Sequence, residues 1–242
     1  MKARLHLLDM SDVRQLMPTQ LNDLVQACDL WSESPEDILG FAGLTIDTGH
    51  ISEYHDASRA VERRAAEVAM PYPTWFDVAP RTEQLLFLLV RSSRPDVVVE
   101  TGIGNGRSSA IILAAMDLNG TGVLHSVDID DHIGALVPDR HPRWVTHIGD
   151  GSPAALEGFL RDAGPVDIFI HDSDHSYRAQ RAEYEIAERY GSSRFLLASD
   201  DVNWSNAFLD HCTTRGLSSA VLSDVTKCFG LAWRPRERLG HD

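Results

Sequence analysis

Asp96-Val-Val-Val-Glu-Thr-Gly-Ile-Gly-Asn-Gly-Arg107 decides how this chain is read. Val97 to Val99 is a β-branched run with Pro95 before it, the pattern of a parallel strand buried on both faces. The run ends at Glu100 and turns through Gly102, Gly104 and Gly106, and Ser108 to Met116 then reads as a helix. A strand, a glycine turn and a helix in that order let backbone N–H groups approach a nucleotide-like ligand closely. Arg107 stands where the dinucleotide fingerprint G-x-G-x-x-G has its last glycine. Glu100, two residues before the first glycine, would repel a pyrophosphate and draw a cationic ligand.

Outward from this turn, strand and helix patterns alternate, which predicts a parallel sheet with helices on both faces. The second strand, Val123 to Val127, ends in Asp128-Ile-Asp130-Asp131. An acid at that place, some twenty residues past the glycines, is set to accept hydrogen bonds from ribose hydroxyls. Asp128 is the candidate, while Asp130 and Asp131 read as solvated loop charges. The third strand, Trp144 to Ile148, runs into Gly149-Asp150-Gly151-Ser152, with Ser152 capping a helix that begins at Pro153. The fourth, from Val166, ends in His-Asp172-Ser-Asp174-His175, and the fifth, Phe195 to Ser199, ends in Asp200-Asp201. In a doubly wound sheet these ends line one crevice. Asp172, Asp200 and Asp201 are therefore expected to converge, repelling each other by about 4 kcal/mol per pair at 4 Å and an effective dielectric of 20. A divalent cation such as Mg²⁺, which takes oxygen ligands, removes that penalty.

Glu100 and the three glycines resemble the first motif of the class I S-adenosylmethionine (SAM)-dependent methyltransferases. Residues 96 to about 205 further resemble the metal-dependent small-molecule O-methyltransferases, the group of catechol, caffeoyl-CoA and antibiotic-sugar enzymes. The acid-x-acid ending of strand four and the acid pair ending strand five carry that likeness. It implies an α/β fold with a Rossmann-like, doubly wound, mostly parallel sheet. It also implies SAM at Glu100, Gly102, Gly104, Gly106, Ser108 and Asp128, with Asp150 facing the adenine amino group. A helix-start role for Asp150 stands equally beside that. Asp172, Asp200 and Asp201 fall on the three metal positions. The chain departs from the catechol and caffeoyl-CoA pattern in having His175 at the catalytic lysine and Asp201 at a ligand asparagine. The D-x-D and Asp-Asp endings lean to the antibiotic-tailoring branch, which implies Asp174 as the base. The lysine position favours His175 instead, and Asp174 is slightly preferred.

Residues 1 to about 90 show helical spacing and little strand pattern, and residues 91–242 read as the SAM-binding core. Leu21, Leu24, Val25 and Cys28 share one helix face, and Ser34-Pro35-Glu36-Asp37 is a helix start. Further helices are expected from about Asp56 to Met70 and from Thr82 to Arg91. Between them Met70 to Phe76 is a loop with Tyr72, Trp75 and Phe76, packing or a substrate wall. This section caps a ligand cleft or builds a homo-oligomer contact. Leu217 to Trp233 suits two closing strands, antiparallel to each other, before an exposed tail.

Thirty-six acidic against 22 basic residues give a net charge of −14, which argues against a nucleic-acid partner. No run of 18 apolar residues and no signal peptide are present, so neither a membrane partner nor export is expected. Cys28, Cys212 and Cys228 are too few and scattered for a disulfide framework or zinc cluster, and a cytoplasmic protein with free thiols is expected. Together these features predict Mg²⁺-assisted O-methylation of a small hydroxylated acceptor, as in natural-product tailoring. An N-methyltransferase or a metal-independent enzyme is the near alternative. A nucleotide-binding oxidoreductase and a non-catalytic SAM-fold protein are the distant ones.

Overall fold

The computed structural model describes residues 23–224 and 227–235. Leu21, the N-terminal ten residues read for targeting, residues 225–226 of the last turn and the tail beyond residue 235 lie outside them.

Residues 23–27 are helical, and β1 (Leu30–Ser32) follows. Then come α1 (Pro35–Phe41), α2 (Thr48–Ala65) and α3 (Pro80–Ser93). The glycine motif supplies β2 (Val97–Thr101) and α4 (Arg107–Asn119). Next are β3 (Val123–Asp128), β4 (Trp144–Ile148), α5 (Pro153–Ala163), β5 (Val166–His171) and α6 (Tyr177–Tyr190). The chain closes with β6 (Gly191–Ser199), α7 (Ala207–Arg215), β7 (Ser218–Asp224) and β8 (Lys227–Trp233).

The strands form one sheet in the order β1-β7-β8-β6-β5-β2-β3-β4. Neighbours from β6 through β4 run parallel, whereas β8 is antiparallel to both β6 and β7. This is the Rossmann-like doubly wound architecture expected of a class I methyltransferase, including the closing antiparallel pair. Alternation along each strand feeds two cores, because successive side chains leave opposite faces. Val98, Ile168 and Ile170 pack with α1 to α4, while Val99 and Phe169 pack with α5 to α7. The N-terminal helices thus share a core with the sheet. No described helix is long and apolar enough to cross a membrane.

Two expectations shift. The edge strand β1 pairs parallel with β7, yet three residues are too few to show a period of two. The helix expected from Asp56 to Met70 is α2, begun earlier because Asp47 Oδ1 caps it by accepting from Gly49 N at 2.8 Å. The helix after β6 begins only at Ala207, whose N–H donates to Ser205 Oγ at 3.2 Å. Residues 201–206 instead form a turn at the ligand edge of the sheet.

Candidate active site

The glycine turn sits where β2 meets its two neighbours. Gly102 has φ +82°, and a Cβ there would stand 1.9 Å from the Asp172 carbonyl oxygen, so only glycine lets β2 pass the end of β5. Gly104, with φ +51°, faces open space with nothing within 4 Å of where a Cβ would be. Gly106 is closed off again by Gly134, whose Cα would lie 2.7 Å from an added Cβ. Only the middle glycine therefore presents bare backbone to a ligand.

Glu100 is 1% exposed and holds this turn from below. Its carboxylate accepts from Ser108 Oγ at 3.0 Å, from Ser126 Oγ at 2.6 Å and from Ser109 Oγ. Burial raises its pKa, and the three hydroxyls oppose the rise. Glu100 and Ser108, both expected to meet the cofactor, are buried and bonded to each other beneath the turn. Arg107 is likewise engaged, pairing with Glu83 at 2.6 Å and Glu62 at 2.7 Å.

Asp128, at the end of β3, ties this strand to the turn: its Oδ2 accepts from Ile103 N at 2.8 Å. Its Oδ1 accepts from Ile129 N at 2.7 Å and Asp130 N at 3.1 Å. With three backbone donors already bound, Asp128 keeps one lone-pair direction for a ribose hydroxyl. The next residue, Ile129, is a large apolar side chain 67% exposed. Asp150 is exposed and accepts from Ser152 N at 2.9 Å, which holds its pKa down, a bond proper to a helix-start residue. The aromatic loop is clamped over the turn by Asn105, which is 1% exposed. Asn105 Oδ1 accepts from Tyr72 N, and its Nδ2 donates to Tyr72 O and to Asp77 Oδ1, each at 3.0 Å. Tyr72 in turn donates its hydroxyl to Asp130 Oδ2 at 2.8 Å.

On the other side of Gly102 the expected acids meet. Asp172 N donates to Thr101 O at 2.8 Å and Asp200 N to His171 O at 2.9 Å, which aligns the ends of β2, β5 and β6. Burial, then the charge of Asp200, raises Asp172 well above the usual carboxylate range and Asp201 to about 7. Asp201 is held at φ +50°. Asp200 Oδ1, Asp201 Oδ1 and Asn203 Oδ1 are buried with no hydrogen-bond partner. Buried oxygens of this kind are costly, and a donor set of oxygens alone fits a hard divalent cation. A second cation is present that sequence reading did not place there: Lys227 Nζ lies 3.1 Å from Asp200 Oδ2. Among the described residues Asp130, Asp131 and His132 alone have ligand atoms all within 4.8 Å of one another, largely exposed as solvated loop charges are. The oxygens of Asp172, Asp200 and Asp201 stand farther apart, and a shared cation would have to draw them together.

His175 and Asp174 separate. His175 Nε2 stands 3.7 Å from Asp172 Oδ1 and 3.6 Å from Asp201 Oδ2, inside the cluster. Burial, then His171, lowers its pKa to about 4. Asp174, slightly preferred as base on the sequence, is exposed and accepts from Ser176 N at 2.9 Å. An Asx-type bond to the start of α6 takes that carboxylate away. Trp204, 42% exposed, brings its ring within 6.2 Å of the His175 ring. Behind them Glu183 gathers three ends of the edge. It accepts from Thr101 Oγ1 at 2.6 Å and Ser173 Oγ at 2.8 Å, and lies 2.7 Å from His171 Nδ1.

Residues 99–202 match the family described as a methyltransferase domain. Among curated proteins none matches this chain. An O-methyltransferase from Bacillus cereus in complex with SAH superposes with a TM-score of 0.55 at 16% identity, covering 74% of this chain and 90% of that one. The MycE methyltransferase from the mycinamycin biosynthetic pathway, in complex with Mg and SAH, gives 0.53 at 19% identity over 77% of this chain and 57% of that one. A methyltransferase from Geobacter sulfurreducens gives 0.53 at 19% identity over 79% and 98%.

Proposed function

We propose, for a chain with the class I methyltransferase fold and a methyltransferase domain at residues 99–202, that it transfers the methyl of SAM to a hydroxyl of a small acceptor, with Mg²⁺ or a similar ion at the acid cluster. One observation carries this reading: Asp200 Oδ1 and Asp201 Oδ1 are buried without a partner beside Asp172, whose backbone is in contact with the turn at Gly102. Bound SAM supplies an electrophilic methyl on a sulfonium. A bound divalent cation lowers the pKa of an oxygen it holds. MycE, whose complexes hold Mg and SAH, has a related fold and makes tailoring of a natural product the favoured setting.

The chain's own residues divide the work. Gly104 leaves room for the cofactor beside bare backbone, and Glu100 and Asp128 hold the turn in shape. Asp128 also accepts a ribose hydroxyl, and Ile129 covers the purine, with Asp150 beside it. Asp172, Asp200 and Asp201 hold the cation. His175 Nε2 takes the acceptor's proton, and the carboxylates flanking it stabilise the imidazolium that forms. Trp204 offers the acceptor a flat wall. Most of the acceleration comes from placing oxygen and methyl in line, not from covalent chemistry.

A second reading, transfer without a metal, is favoured by Lys227, which already supplies one positive charge to the cluster. Mass spectrometry of ligands released from the denatured protein tests the class: SAM or SAH is expected, and NAD(P) would overturn it. Mn²⁺ titration tests the metal. Wild type should bind and Asp201→Asn bind far more weakly, whereas absence of binding leaves the metal-free reading.

A further inference from the structure

Lys227 opens β8, and the topology explains how it reaches the acids. β8 runs antiparallel to β6 with Ser199 opposite Gly230, so the start of β8 projects past the edge where β6 passes into Asp200 and Asp201. The position is pinned, because Val202 N donates to Cys228 O at 3.0 Å. The Lys227 side chain is 20% exposed and that of Asp200 fully buried, so the pair is set among protein groups. Asp200 is divided by the contact: Oδ2 receives the ammonium, while Oδ1 has no partner. Burial opposes the charge on Lys227, but Asp200, Asp201 and Asp172 together raise its pKa, so it stays protonated.

We propose that Lys227 is a resident counter-cation of the acid cluster, holding the three carboxylates together without a divalent ion and weakening the cluster's hold on one. The first half stands on the contact itself; the second rests on the metal reading above. A like charge fixed on a shared ligand repels an arriving cation. The same contact fixes Asp200 with one oxygen free, so Lys227 is a positioning residue for that ligand.

The test uses the full chain with Lys227→Met, Lys227→Arg, Asp200→Asn and the Lys227→Met/Asp200→Asn double variant. In excess chelator, thermal unfolding should show Lys227→Met several degrees below wild type. The double variant should recover part of that loss, because one buried charge leaves with its partner. Additive losses would overturn the counter-cation. Free Mn²⁺, followed by electron paramagnetic resonance, should show Lys227→Met binding at least tenfold more tightly than wild type, with Lys227→Arg close to wild type. Equal or weaker binding by Lys227→Met would overturn the effect on affinity. If neither wild type nor any variant binds Mn²⁺, the metal reading falls and takes the affinity half with it. The unfolding series in chelator still decides the other half, so the two failures are distinct.

Discussion

Gly102 and Asp172 are in backbone contact: a side-chain carbon on Gly102 would lie 1.9 Å from the Asp172 carbonyl oxygen. The contact joins the cofactor turn to the acid cluster, so one loop cannot move without the other. In the proposed reaction sulfonium and acceptor oxygen would meet at this junction.

Gly102→Ala and Gly104→Ala should therefore fail differently. At Gly102 a left-handed φ costs roughly 1–2 kcal/mol for a residue with Cβ, and overpacking against backbone roughly 1–3 kcal/mol more. At Gly104 only the first cost applies, because the space is open. Gly102→Ala should lose both melting temperature and SAM binding, whereas Gly104→Ala should stay folded and lose SAM affinity. Calorimetric titration beside thermal unfolding checks both, and a Gly104→Ala protein with full SAM affinity would remove that face from the site.

Asn105→Ala should free the aromatic loop. Its side chain makes three hydrogen bonds to Tyr72 and Asp77 from a buried position. Removal leaves buried partners unpaired, at roughly 1–3 kcal/mol. Hydrogen exchange should speed up at residues 70–77 and leave β5 unaffected. Unchanged exchange in the loop would mean that Tyr72 and Asp130 hold it without help.

The fold was legible because its signals are local. The β-branched run before Gly102, the strand-end acids and the caps Ser34 and Ser152 are each read within a few residues. Convergence of Asp172, Asp200 and Asp201 followed from topology once the strands were ordered. Lys227 was not legible: it opens a short apolar strand, and its pairing with Asp200 depends on how that strand reverses beside β6. The Asn105 clamp was not legible either, because its partners Tyr72 and Asp77 lie 33 and 28 residues away. Glu183, on the inner face of α6, meets Thr101 across 82 residues of sequence, beyond any local pattern. The D-x-D spacing likewise does not say which carboxylate a helix start will claim, and here Asp174 accepts from Ser176 N.

Glu183 should give the protein a measurable acid sensitivity. Burial would raise its pKa, but bonds from His171, Thr101 and Ser173 outweigh that and lower it below the ordinary 4.5. The folded state therefore binds this proton less readily than the unfolded chain. Its stabilisation is full above the unfolded value and is lost as pH falls through the folded one. Glu183→Gln should cost roughly 1–3 kcal/mol near pH 7 by urea unfolding, and the gap to wild type should narrow below pH 4.5. A gap that stays constant or widens on acidification would contradict the assignment.

Under the proposed function the base is tested by comparing neighbours. His175 Nε2 lies 3.7 Å from Asp172 and 3.6 Å from Asp201, the two acids proposed to hold the cation and its acceptor. Asp174 is exposed and spends one oxygen on Ser176 N, a bond that asparagine can also accept. Asp174→Asn should therefore keep turnover near wild type. His175→Gln keeps most of the volume but cannot take a proton, and should lower kcat by roughly 10²–10⁴-fold with SAM affinity retained. Both are measured at saturating SAM and Mg²⁺ with an acceptor found by screening hydroxylated compounds. A collapse in Asp174→Asn alone would return the role to the carboxylate. Loss in neither would leave deprotonation to solvent and the acid cluster.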